Sequence, residues 1–167
     1  MNTASASTTS STGIRIPGAP GFGSLPGAGE KLAPRLLAEL GADRRVLDDP
    51  EALQCYAGAA PVTYQSGGKR RVLFRRACTT TLRATVHLWA NLSRVRSPWA
   101  QAYYRQKRAQ GMSHAAALRC LAMRWLKMLW KMWMERQPYD ADRHLRDQTS
   151  HGSWVIALIP PAVSQPG

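Results

Sequence analysis

The chain has 167 residues, the size of one domain with tails, and 44% of them are hydrophobic, enough to form a core. Lys and Arg number 23 against 10 Asp and Glu, a formal net charge of +13, so the expected partner is a polyanion: nucleic acid or an anionic membrane surface. The odd, scattered set Cys55, Cys78 and Cys120 excludes a disulfide framework and a zinc-type pair, and no charged start leads into a secretory apolar segment.

Residues 1–24 are rich in Ser, Thr, Ala, Gly and Pro and lack an apolar period, which predicts a disordered tail. The next stretch, 25–41, holds a Gly27-Ala28-Gly29 turn followed by Leu32, Leu36 and Leu40 at helical spacing. Pro34 fits only in the first turn of such a helix, and Gly41 is a C-terminal stop. The spacing is that of a helix-hairpin-helix unit, whose Gly-x-Gly turn would direct backbone N–H groups of Gly27 and Gly29, with Lys31 beside them, at a DNA phosphate. A plain capped helix is the competing reading.

Asp49-Pro50-Glu51 starts a second helix, which ends near Gly58. After it, Val62-Thr63 and Val72-Leu73-Phe74 flank Ser66-Gly67-Gly68-Lys69-Arg70-Arg71, a pattern that predicts a short β-hairpin with Ser66 near its tip. Gly67 and Gly68 let the backbone bend and approach a ligand, and Lys69, Arg70, Arg71, Arg75 and Arg76 put positive charge where a phosphate would lie. An exposed hydroxyl beside a yielding backbone and cations is the setting a serine needs to attack phosphorus. The same residues also suit an ordinary polar turn.

A third helix is expected over 80–94, with Leu82, Val86 and Trp89 on one side and Arg83 and His87 sharing another. Ser97-Pro98 opens a fourth, 98–110, bearing Tyr103, Tyr104, Arg105, Lys107 and Arg108. The longest spans 113–136: its wide apolar arc from Leu118 to Trp133 predicts burial in a small helical domain, while Arg124, Lys127 and Lys131 interrupt the run and argue against a membrane span. A basic helix lying on a membrane surface is the alternative there. Beyond Asp140 the chain turns polar, and 154–159 is a brief apolar run expected to pack back as strand or coil.

Taken in this order, Leu25-Pro26-Gly27-Ala28-Gly29, Leu36-Leu37-Ala38-Glu39-Leu40-Gly41, Tyr56-Ala57-Gly58-Ala59-Ala60-Pro61-Val62-Thr63, Ser66-Gly67-Gly68-Lys69, Ala102-Tyr103-Tyr104 and Gln137-Pro138-Tyr139-Asp140 form a specific set. With them the chain resembles the C-terminal domain of the insertion-sequence one-ten (one-one-six/one-ten/nine-oh-two) transposases. The resemblance divides the chain into a 1–24 tail, a 25–145 DNA-binding and recombinase domain and a 146–167 tail. It implies DNA transposition with Ser66 as the nucleophile forming a phosphoserine link to DNA; the residues themselves give the expected DNA contacts, Gly27, Gly29, Lys31, Gly67, Gly68, Lys69, Arg70, Arg71, Arg75 and Arg76, with Arg83, Arg94 and Arg96 adding charge.

The family's magnesium is held by an N-terminal RNase-H-like domain with four acidic residues. No such domain is expected in this chain, so the reading is of a truncated, cytoplasmic transposase with no cofactor or metal site of its own and improbable autonomous strand transfer. DNA is the expected partner, a guide RNA and a homo-oligomer are admitted as further ones, and no membrane is expected. The competing function is a non-catalytic basic module that grips RNA or DNA. Tyr64 could orient a phosphate, and His87 and His114 are the available bases without a signal that selects either.

Overall fold

A computed structural model of the chain describes residues 21–41, 49–66, 69–73 and 79–160. It begins with a one-turn 3-10 helix, Phe22–Ser24, then α1, Gly29–Leu40, and α2, Pro50–Tyr56. The strands β1, Val62–Ser66, and β2, Lys69–Leu73, follow, and then α3, Thr80–Arg96, α4, Pro98–Ala109, α5, His114–Glu135, and α6, Ala141–Ser150. A second 3-10 turn, Ile156–Leu158, closes the described part.

Local chemistry sets most of these boundaries. Asp49, Ser97, Ser113 and Asp140 each occupy an N-cap position and accept, through the side chain, the amide N–H of Ala52, Ala100, Ala116 and Arg143 respectively. Pro50 and Pro98 stand at first helical positions, where a missing N–H costs nothing. Arg136 ends α5 in the left-handed conformation, φ 56°, and Pro138 follows.

The core is built on α5. Leu121, Ala122, Trp125, Leu126 and Leu129 are fully buried, and they pack with Leu82, Val86, Trp89 and Ala90 of α3 and with Trp99 and Ala100 of α4. Trp125 lies at the centre, with ring centroids 5.4 Å from Trp89, 5.5 Å from Trp99 and 5.6 Å from Tyr139. Its indole N–H donates to Ser93 Oγ at 2.7 Å, and that hydroxyl donates to the Ala90 carbonyl at 2.8 Å. No helix among the described residues is long and apolar enough to cross a membrane.

The fold class expected from sequence needs correction. The body is mainly helical, and among the described residues the two short strands pair with each other alone, with no larger sheet. Among the described residues a single 3-10 turn, and no α-helix, precedes the Gly27–Gly29 turn, so the first helix of the expected helix-hairpin-helix is not among them. Gly21, Gly23 and Pro26 break the period there, and Gly21 packs so closely on Pro138 that a Cβ would lie 2.6 Å from the proline Cβ. Pro34 sits inside α1 rather than in its first turn. Burial of Leu32, Ala33, Leu36 and Leu40 outweighs the backbone bond that the proline cannot donate. Residues 154–159 form a 3-10 turn with Val155 buried, not a strand. A sixth helix, α6, occupies part of the stretch read as polar chain, capped by Asp140.

Candidate nucleic-acid interface

The residues singled out in the sequence fall in two places. The first is the turn before α1. Gly27 has φ +79°, and a Cβ there would lie 2.6 Å from the Ser93 nitrogen and 2.7 Å from the Leu92 carbonyl carbon. The glycine is therefore required by contact with the α3 backbone. Trp89 Nε1 donates to the Pro26 carbonyl at 3.0 Å, and Leu25 is buried beside it. Gly29, φ +54°, has open space where its Cβ would be, and Glu30 and Lys31 are exposed in the first turn of α1. Of the proposed phosphate contacts here, Gly29 and Lys31 face solvent while Gly27 faces the protein.

The second place is the hairpin. It lies between α2 and α3 in the chain, and the residues that flank it meet, because the Thr79 amide donates to the Tyr56 carbonyl at 3.2 Å. The outgoing end is held by Gln54, which is buried: its carbonyl accepts the amides of Ala59 and Ala60, and its side-chain Nε2 donates to the Met123 carbonyl of α5 at 2.9 Å. Lys127 of α5 reaches Glu51 at 2.7 Å, and that ammonium hydrogen bond holds the Glu51 carboxyl below its ordinary range. The strand register pairs Ser66 with Lys69, Gln65 with Arg70 and Tyr64 with Arg71. Ser66 and Lys69 are thus the last paired residues before the two-residue connection, and Tyr64 and Arg71 lie two positions back on the same face. Gly67, Gly68, Arg75 and Arg76 lie outside the described residues.

The two candidate bases have other surroundings. His114 accepts or donates through Nδ1 to Tyr104 Oη at 2.7 Å. His87 Nε2 is buried without a hydrogen-bond partner, and burial, then Arg119 and Arg83, hold its pKa below the ordinary value. Of the flanking cations, Arg94 lies over the Tyr104 ring at 5.0 Å and donates to Asn91 at 2.7 Å. Among the described residues no group of His, Cys, Asp or Glu is arranged to hold a metal ion.

One electrostatic feature escaped the motif-by-motif reading. No Asp or Glu occurs between Glu51 and Glu135, while Lys and Arg recur throughout. That interval contains the hairpin, α3, α4 and nearly all of α5. The positive charge is therefore concentrated in one continuous stretch of the sequence.

The sequence profile of the transposase IS116/IS110/IS902 family matches residues 21–105. The chain belongs to this transposase family. It is 42% identical over 120 residues to the mini-circle putative transposase for IS117 of Streptomyces coelicolor, covering 72% of the chain and 29% of that protein. An uncharacterized 42 kDa protein of insertion element IS900 of Mycobacterium paratuberculosis is 34% identical over 117 residues, covering 70% of the chain. An uncharacterized 44.8 kDa protein of insertion element IS116 of Streptomyces clavuligerus is 31% identical over 115 residues, covering 68%. The chain spans 29% of the length of each of these transposase-family relatives. The family match includes both glycine turns, the hairpin and α3.

Proposed function

We propose that this chain is the part of a transposase that meets the nucleic-acid backbone, with DNA as its partner and Ser66 as the nucleophile. The observation that carries this reading is the hairpin register, which pairs Ser66 with Lys69 next to Gly67-Gly68 and puts Arg70 and Arg71 directly behind them, in a carboxylate-free half of a transposase-family chain. In the reaction, Ser66 Oγ attacks a backbone phosphorus. The Oγ–P bond forms, one phosphoester bond to the neighbouring sugar breaks, the serine proton passes to a base and the departing sugar oxygen takes up a proton. Lys69, Arg70 and Arg71 stabilise the charge that develops on the phosphoryl oxygens. Gly29 and Lys31 add a phosphate contact beside α1, and Arg75, Arg76 and Arg96 extend the field. A guide RNA and further copies of the chain complete the assembly implied by the family resemblance.

The test is to trap a covalent protein–DNA adduct on a nicked duplex, in the presence of a family N-terminal domain, with wild type and Ser66→Ala. A wild-type adduct that is stable to denaturation and lost in Ser66→Ala is the expected result. Equal DNA binding by both proteins with no adduct from either would instead make the chain a non-catalytic nucleic-acid-binding module.

A further inference from the structure

A second site lies away from the hairpin, where α4, α5 and the C-terminal turn meet. Trp154 is 43% exposed, whereas Trp89, Trp99, Trp125 and Trp133 are buried. One face of the Trp154 ring rests on Tyr103, with centroids 5.6 Å apart and planes 27° from parallel. Tyr103 in turn stacks on the buried Trp99 at 5.6 Å and 25°. The three rings form a short ladder that starts in the core and ends at the surface, so the outermost ring is braced from beneath.

The cations around this ladder are placed as well. Lys107 Nζ lies 5.6 Å from the Tyr103 centroid and 5.8 Å from that of Trp154, and the Arg124 guanidinium lies 5.9 Å from Tyr103. Lys107 also donates to Gln110 Oε1 at 3.2 Å. Neither α4 nor α5 before Glu135 contains an Asp or Glu to neutralise them. An exposed aromatic face with cations beside it is what an unpaired nucleotide requires: the ring accepts the base and the cations meet its phosphate.

We propose that Trp154 is a stacking platform for an unpaired nucleobase, with Tyr103 beneath it and Lys107 and Arg124 binding the adjoining phosphates. The proposal rests on the nucleic-acid reading above and adds to it a preference for single strands, served by a surface separate from Ser66. A stacked base is sequence-tolerant and can belong to DNA or RNA.

The experiment compares a thymidine oligonucleotide, a uridine oligonucleotide and a duplex of equal length, binding wild type, Trp154→Ala and Trp154→Phe. Trp154→Ala is expected to weaken both single-stranded ligands about tenfold or more while duplex affinity stays within about twofold. Trp154→Phe keeps a ring and is expected to stay within about threefold of wild type on all three. Unequal losses on the two oligonucleotides tell which strand the platform favours and still support it.

In parallel, the red-edge tryptophan emission of wild type, to which the exposed Trp154 and the half-buried Trp130 contribute, is expected to be quenched by either oligonucleotide and not by inorganic polyphosphate, and the quenched part is expected to be missing in Trp154→Phe. This second readout decides the matter if Trp154→Ala does not fold. Equal losses on single strands and duplex, or no loss together with unquenched emission, would overturn the proposal. Duplex binding by wild type with neither single-strand effect would sink the platform alone, and no binding of any nucleic acid would sink the functional reading as well.

Discussion

The two glycine-bearing loops of this chain look alike in sequence and differ in place. Gly27-Ala28-Gly29 and Ser66-Gly67-Gly68 each precede cations and each suit a phosphate. The first is fastened to the body: Gly27 presses on the α3 backbone, Trp89 holds the Pro26 carbonyl, and Ala28 is buried. The second lies between Tyr56 and Thr79, whose backbones are joined by a hydrogen bond, and its strands pair with each other. The difference teaches that a glycine can mark close packing as readily as ligand approach. Within the first loop, what separates Gly27 from Gly29 is the space around the absent Cβ, which depends on residues far away in sequence.

Substitutions can break that contrast, beginning with the strongest. Gly27→Ala must displace α3 or the turn and also force an L-residue to φ +79°, so a loss of about 3 kcal/mol or more is expected in thermal or urea unfolding. Gly29→Ala, with φ +54° but open space, should cost only about 1 kcal/mol. Similar losses at the two positions would undo the distinction.

Ser93 sits directly under Gly27 and accepts the Trp125 indole N–H. Ser93→Ala leaves that buried donor unpaired and is expected to cost about 1–3 kcal/mol, read by the same unfolding curves.

A milder effect is expected from pH. His144 is buried against Tyr139, Trp99 and Trp125, with Nδ1 2.8 Å from Tyr139 Oη and Nε2 unpartnered. Burial holds its pKa below the ordinary 6.5, with Asp147 pulling weakly the other way, and burial acts in the same direction on His87. The unfolded chain therefore binds more protons than the folded one once pH falls below about 6.5. The histidine contribution to stability is full above that value and declines as pH drops towards the lowered folded pKa values. Melting temperatures measured from pH 7.5 to 5.5 should fall, and more shallowly in His144→Gln. An identical slope in that variant would remove His144 from the explanation.

The smallest expected effect is that of Lys127→Ala. It removes an exposed partner of Glu51 and should shift the melting temperature by no more than about 1 °C.

Much of the helical body was legible because its signals are local. The apolar arc of α5 and the caps Asp49 and Ser97 follow from spacing and from side chains within three residues of the amide they bind. The hairpin strands likewise follow from turn glycines between short β-branched runs, and the structure confines them to one isolated pair. What escaped the sequence is non-local. Nothing around Gly27 announces Ser93, and nothing around Trp154 announces Tyr103 and Lys107. Helix α6 escaped for another reason: it buries little besides His144, so its apolar period is faint, although Asp140 stands at its start as a cap.

The most direct test of the hairpin as the surface that meets the nucleic-acid backbone is a salt titration of duplex DNA binding, comparing wild type with the combined Lys69→Ala, Arg70→Ala and Arg71→Ala variant. Each lost phosphate contact should lower the slope of log K against log salt by about one unit, so a drop of about two to three units is predicted with the melting temperature unchanged. An unchanged slope, or a slope that falls only because the protein has unfolded, would contradict it.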